Sequence, residues 1–242
     1  MISNLETQTR NSLAAAYRLL NQFGWDDLIF THISAKIPNT ETFLINQYGL
    51  RFDEITASSL VKVDLQGNII GDNSINNSII NPAGFVIHSA IHEARPDVQF
   101  IIHTHTKEGI AVSADSRGLM PISQRAIIIL PNLSYHTYAG IAVDDNEKII
   151  IKQNLGKNNY LILRNHGLLT VGRTAASAFM NMFRLQKACE IQVLTDLDNA
   201  IVVEQETINN SKDRVATFIK AIDHNQLAWD ALVRSLDNSY KN

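Results

Sequence analysis

The segment Ile101-Ile102-His103-Thr104-His105-Thr106 constrains this chain more than any other. Its apolar start reads as a buried strand, and the strand ends on two imidazoles two residues apart, which leave an extended backbone from the same face. A second apolar run, Tyr160-Leu161-Ile162-Leu163, leads into Arg164-Asn165-His166-Gly167, where a strand should turn. If the two strand ends lie side by side, His103, His105 and His166 converge. Three neutral imidazoles are a common ligand set for a catalytic divalent metal that keeps one coordination position open. Taken alone, the His-x-His pair reads more readily as two unrelated polar residues at a strand terminus. The third histidine in a similar context favours the metal.

The elements around this centre mix short strands with helices. Leu13, Ala16, Tyr17 and Leu20 recur at helical spacing between Glu6 and Phe23, and Gly24 follows as a stop. Phe30–Ile37, Thr42–Ile45 and Leu60–Val63 read as strands of a small meander. The Asn- and Ser-rich stretch Asn73–Asn81 leads to a helix from Pro82 to about Ala94. Val98–Ile102 is the strand that delivers His103, and Glu108–Val112 begins a short helix. Ala126–Leu130 reads as a buried strand, Asp144–Leu155 as a helix and Leu168–Val171 as a further strand. Thr174 is a credible N-cap for a long helix from Ala175 to about Leu197, and a last helix from about Asn210 to Leu236 carries Trp229 on its apolar side. Many strands lie too close in sequence for helical crossovers. The expectation is therefore an α/β chain with a mixed, largely antiparallel sheet between helical layers.

At 242 residues, with 45% hydrophobic residues, the chain can bury a sizeable core, and a single domain over 1–242 with C-terminal helices from about 175 to 236 is expected. A net charge of -3 without a basic run gives no electrostatic footprint for nucleic acid or for an anionic membrane. Met1–Glu6 lacks the pattern of a signal peptide and no apolar stretch approaches a membrane span, so the cytoplasm is the expected compartment. The single cysteine, Cys189, excludes an intramolecular disulfide and reads as a small buried apolar residue.

Two further groups could take part in metal chemistry. His88 and His92 are four residues apart on one helix face and could form a metal pair, although the reading preferred here packs one under the sheet and turns the other to water or a subunit. Glu190 could accept a hydrogen bond from a ligand histidine, but a surface position is preferred.

Asn81-Pro82-Ala83-Gly84, His88, Arg95-Pro96-Asp97-Val98, His103-Thr104-His105 and Asn165-His166-Gly167 together resemble the class II aldolase and adducin head-domain family, over roughly Ala14 to Val193. The resemblance implies a three-layer fold with a central mixed sheet. It also implies a divalent metal, usually zinc, on His103, His105 and His166, and a homotetramer with the active site near a subunit interface. Sugar-phosphate enzymes of the family carry a Pro-Ser-Ser-Glu or Asp segment whose carboxylate is both metal ligand and acid/base. Here Gly84 stands in its place. The family's phosphate-binding Gly-Asn-x-Ser loop becomes Thr31-His32-Ile33-Ser34, and its Pro-Ser/Thr-Gly turn becomes Gln47-Tyr48-Gly49. Losing these small donors removes the cradle a phosphate dianion needs.

His32, Tyr48, Gly49, Gln124 and Arg125 fall in the segments matching the family's substrate-facing loops, and the Arg125 guanidinium would suit a substrate carboxylate. The first functional expectation is a metal-dependent lyase acting on a small, non-phosphorylated carbonyl or hydroxy-acid compound. The second is a non-catalytic, adducin-like assembly module. The third is a non-haem iron oxygenase. Zinc is the expected metal, with iron or manganese as alternatives.

Overall fold

The computed structural model describes residues 3–71, 79–138, 140, 145–211 and 222–242. Among these, seven strands form one sheet in the order β3-β2-β1-β4-β7-β6-β5. The strands are β1 His32–Lys36, β2 Thr42–Ile45, β3 Val61–Asp64, β4 Phe100–Thr104, β5 Leu133–His136, β6 Tyr160–Leu163 and β7 Gly167–Gly172. Every pairing is antiparallel except β5 with β6. The helices are α1 Asn4–Gln22, α2 Pro82–Ala94, α3 Lys107–Ala114, α4 Gln124–Ile129, α5 Asp145–Leu155 and α6 Ala175–Leu194, with a C-terminal helix His224–Val233.

Strand alternation divides the core into two layers. Ile101, Leu161, Leu163, Leu169 and Val171 meet Val86, Ile87, Ala90 and Ile91 of α2 and Ile151 and Leu155 of α5 on one face. Ile33, Ala35, Phe100, Ile102 and Leu168 meet α1, α6 and Trp229 on the other. This is a three-layer α/β arrangement. His103 follows Ile101 by two residues and so faces the α2 layer, while Phe100 and Ile102 carry the strand into the opposite core. β4 lies between β1 and β7 and is buried along its whole length, which holds its C-terminal end in a fixed place.

Local chemistry sets the remaining positions. Asn81 caps α2, its side-chain oxygen accepting from the Ala83 and Gly84 N–H groups, and Pro82 occupies the first turn. Thr174 caps α6 by accepting from the Ser177 N–H. The buried Tyr17 hydroxyl of α1 accepts the Ile33 N–H at 2.8 Å, pinning the backbone one residue after His32.

Several sequence expectations change. Ala126–Leu130 is not a strand: Ser123 accepts from the Ala126 N–H and starts α4, and its buried residues, Ala126 and Ile129, recur three apart as on a helix. The strand comes just afterwards, at Leu133–His136, paired parallel with β6. A short apolar run has no periodicity of its own, and the capping serine decided it. The long helix ends at Leu194 rather than near Leu197. Most of Asn73–Asn81, and positions 212–221 of the last expected helix, lie outside the described residues.

Candidate metal centre

His103, the last residue but one of β4, is fully buried, and its Nδ1 donates to the Leu168 carbonyl on β7 at 2.9 Å. Two residues on, just beyond the strand, His105 donates from Nδ1 to the Asp27 carboxylate at 3.0 Å. Thr106 then caps α3 through the Gly109 N–H, which ends the extended run there. His166 sits in the tight turn between β6 and β7. Asn165 turns through a positive φ of 56°, a conformation asparagine tolerates better than most residues. At Gly167 any Cβ would run into the Thr104 carbonyl, so only glycine lets the turn close on β4.

These constraints bring three ring nitrogens together. His105 Nε2 lies 2.9 Å from both His103 Nε2 and His166 Nε2, and the three potential ligand atoms lie within 4.8 Å of one another. With one proton per neutral ring, His103 and His105 spend theirs on Leu168 and Asp27. Both therefore turn bare Nε2 lone pairs toward each other. Burial, with the neighbouring imidazoles, holds His103 well below the usual histidine range and pushes His166 down to about 4, again chiefly through burial. Lone pairs facing at this distance repel unless a cation lies among them. The donor set therefore fits one divalent ion, with His103 and His105 already fixed as Nε2 ligands by the groups behind them. One side of the centre opens to water, because Asp27 is substantially exposed and His105 partly so.

His32 stands directly opposite His103 in the β1–β4 ladder, the ring centroids 5.0 Å apart. Gly84 lies against it: a Cβ there would come within 2.6 Å of His32 Cδ2. Behind His32 runs a buried chain of polar contacts. Its Nδ1 meets His88 Nε2 at 2.8 Å, His88 Nδ1 meets Ser34 Oγ, and Ser34 Oγ meets His92 Nε2 at 2.8 Å. Both helix histidines are wholly buried, which corrects the expectation that one would face water or a subunit. The reason is Ser34, which holds them as a pair beneath the sheet.

Among the described residues, the other candidates make no hydrogen bond to the three histidines. Tyr48 and Gly49 follow β2 at the edge of the sheet where β1 begins; Tyr48 donates its N–H to the Ile79 carbonyl, and Gly49 is exposed with φ 103°. Gln124 and Arg125 are exposed at the start of α4, and the Arg125 guanidinium lies over the Phe183 ring on α6. Glu190 bonds to Lys187 and Gln186, not to a ligand histidine. Sequence reasoning missed Asp27, which is 78 residues from the histidine it orients. It also missed the pair in which His136 Nε2 meets Glu147 at 2.6 Å, in a small cleft that His166 also lines. No spacing marks either one.

No helix among the described residues is long and apolar enough to cross a membrane. Comparison with known proteins then places the chain. A protein of Pseudomonas aeruginosa provisionally named for aldolase class 2 is 51% identical over 240 residues, covering 98% of this chain and 92% of its own. Alpha-adducin of Rattus norvegicus is 52% identical over 192 residues, covering 78% of this chain, which spans only 26% of that longer protein. A crystal structure of an aldolase II superfamily protein from Pseudomonas syringae superimposes with a TM-score of 0.92 at 43% identity, covering 100% of this chain and 98% of that one. L-fuculose 1-phosphate aldolase from Glaciozyma antarctica follows with a TM-score of 0.83 at 28% identity, covering 100% and 95%. Residues 11–193 match the family model described as "Class II Aldolase and Adducin N-terminal domain", and the chain belongs to that family.

Proposed function

We propose that the chain binds a divalent metal ion through His103, His105 and His166 and acts as a lyase on a small, non-phosphorylated carbonyl or hydroxy-acid compound. The observation that carries this reading is the convergence of three Nε2 atoms, two of them with their protons committed elsewhere. Zinc suits an all-imidazole set, and iron or manganese would also fit it. A divalent ion held there would act as a Lewis acid toward a carbonyl oxygen and stabilise negative charge developing on it. The chain's own residues fix the ligand rings, exclude water on the His103 side and leave an opening beside Asp27.

The relative from Glaciozyma antarctica is named for a sugar phosphate. Polar groups that could stand in such a cradle here are otherwise engaged. Ser34 is buried and shared between His88 and His92, and the Asn81 side chain caps α2. Tyr48, beside the strand edge that bears His32, and Arg125, exposed on α4, remain candidates to meet a substrate, the latter through a carboxylate. A cytoplasmic homo-oligomer, a tetramer by family resemblance, is the proposed state. The test is elemental analysis of purified protein, followed by a screen of hydroxy-carbonyl and hydroxy-acid compounds for aldehyde or carbon dioxide release. Bound metal with turnover supports the reading; a metal-free protein sinks it.

Gly84 and the likeness to alpha-adducin favour a second reading, an assembly module that retains the histidines without turnover. The double substitution H103A/H166A separates the two. Abolished turnover in a folded protein supports the lyase, whereas unchanged assembly with no activity to lose supports the module.

A further inference from the structure

His103 and His105 leave one side of the extended chain, so Thr104 and Thr106 leave the other. Both threonines are buried there against α6. The Thr104 hydroxyl reaches Met182 Sδ at 3.5 Å, and the Thr106 hydroxyl donates to Gln186 Oε1 at 2.6 Å. Four residues along a helix, the separation of Met182 and Gln186, span about 6 Å, and two residues of extended chain rise by about the same distance. One turn of α6 therefore matches the back of the His-x-His segment. The same helix carries Phe179 and Phe183 against Trp25, a buried residue two positions before Asp27. Both partners of the bond between His105 and Asp27 are thus seated on α6.

Gln186 is buried, and its orientation follows from its partners. The amide nitrogen donates to the carboxylates of Glu108 at 3.1 Å and Glu190 at 3.2 Å. A carboxylate accepts, so the amide oxygen faces Thr106 and the Thr106 hydroxyl donates to it. That hydroxyl oxygen in turn accepts the Gly109 N–H at the start of α3. Position 109 leaves no room for a Cβ, which would lie 2.6 Å from Thr106 Oγ1 and 2.8 Å from the Leu168 side chain, and the Leu168 carbonyl holds His103. We infer that Gln186 is a positioning residue for the three-histidine centre: through Thr106 it fixes the backbone that carries His105, and so the alignment of that ring with Asp27. An amide that merely tied α6 to α3 would serve stability alone. Its bond lies one residue from His105, which ties it to the ligand ring. This deepens the function proposed above and rests on it for the metal. The alignment of His105 with Asp27 does not itself require one.

The test compares Q186M, T106V, T106S and Y160F with the wild type, all as the full chain. Methionine keeps the length of the side chain and removes both its acceptor and its donors. Zinc affinity, read by competition with a chelating dye in proteins whose circular dichroism matches the wild type, should fall about tenfold in Q186M and T106V. It should hold in T106S, which keeps the hydroxyl. Y160F removes a buried hydrogen bond to Asn181, elsewhere on α6, and should lower the denaturation midpoint while leaving zinc affinity unchanged. Long-range 15N–1H correlation NMR of metal-free protein with 15N-labelled histidine should show the His105 Nδ1–H signal in the wild type and a weakened one in Q186M and T106V. If Q186M does not fold, T106V against T106S reads the same link. Unchanged zinc affinity and an unchanged His105 signal in folded Q186M overturn the inference, as does a loss of affinity in Y160F equal to that in Q186M. A wild type that takes up no zinc, but whose His105 signal weakens in Q186M, would support the positioning role and refute the metal reading alone.

Discussion

Asp27, in the loop after α1, holds His105 by its Nδ1–H at 3.0 Å and so decides which nitrogen that ring offers to the centre. A carboxylate behind a ligand imidazole raises the ring's basicity and fixes its orientation. Asp27→Asn should weaken zinc binding by about 10–100-fold, read by competition with a chelating dye. Because Asp27 is well exposed, thermal stability of the metal-free protein should hardly change. Unchanged affinity would mean that Asp27 does not orient His105.

Gly84 and His32 occupy one another's space. A Cβ at position 84 would lie 2.6 Å from a buried ring that is itself bonded to His88, so the ring cannot simply swing away. Gly84→Ala should destabilise the protein by about 1–3 kcal/mol, as overpacking does, despite the better helix propensity of alanine. Adding His32→Ala removes the clash, and chemical denaturation should show a double-variant loss smaller than the sum of the two single losses. Strict additivity would contradict the steric account.

The buried histidines make stability depend on pH. Their folded pKa values lie below the unfolded value near 6.5, with His92 down to about 3 and His166 to about 4, both chiefly through burial. The unfolded chain therefore binds more protons as pH falls below about 6.5, and stability present above that point is lost toward the folded pKa values. His92 alone should remove about 2 kcal/mol between pH 6.5 and pH 5. Urea midpoints of the metal-free protein should fall over this window, and less steeply for His92→Phe. Equal slopes in the two proteins would place the His92 pKa near its ordinary value.

How much of this could be read from the sequence depended on whether the signal was local. The apolar run ending in His103 and His105 and the turn signal around His166 are short-range patterns, and they located the convergence of three rings. Pro82 as a first-turn residue and Thr174 as an N-cap placed α2 and the start of α6 for the same reason. Ala126–Leu130 failed because an apolar run of five residues carries no period, and Ser123 outweighed it. Asp27 and the Ser34–His88–His92 contacts were invisible because they join segments more than fifty residues apart. Gly84 could be recognised as a departure from the family pattern, but its reason, the ring of His32, exists only once β1 and α2 are packed together.

The most direct test of the central claim is the metal content of the purified chain, measured by mass spectrometry of the elements beside the H103A/H166A variant. The histidine geometry predicts one divalent ion per chain in the wild type and loss of that ion in the variant while circular dichroism stays unchanged. A wild type that retains no more metal than the variant, even after loading with zinc, iron or manganese, would contradict it.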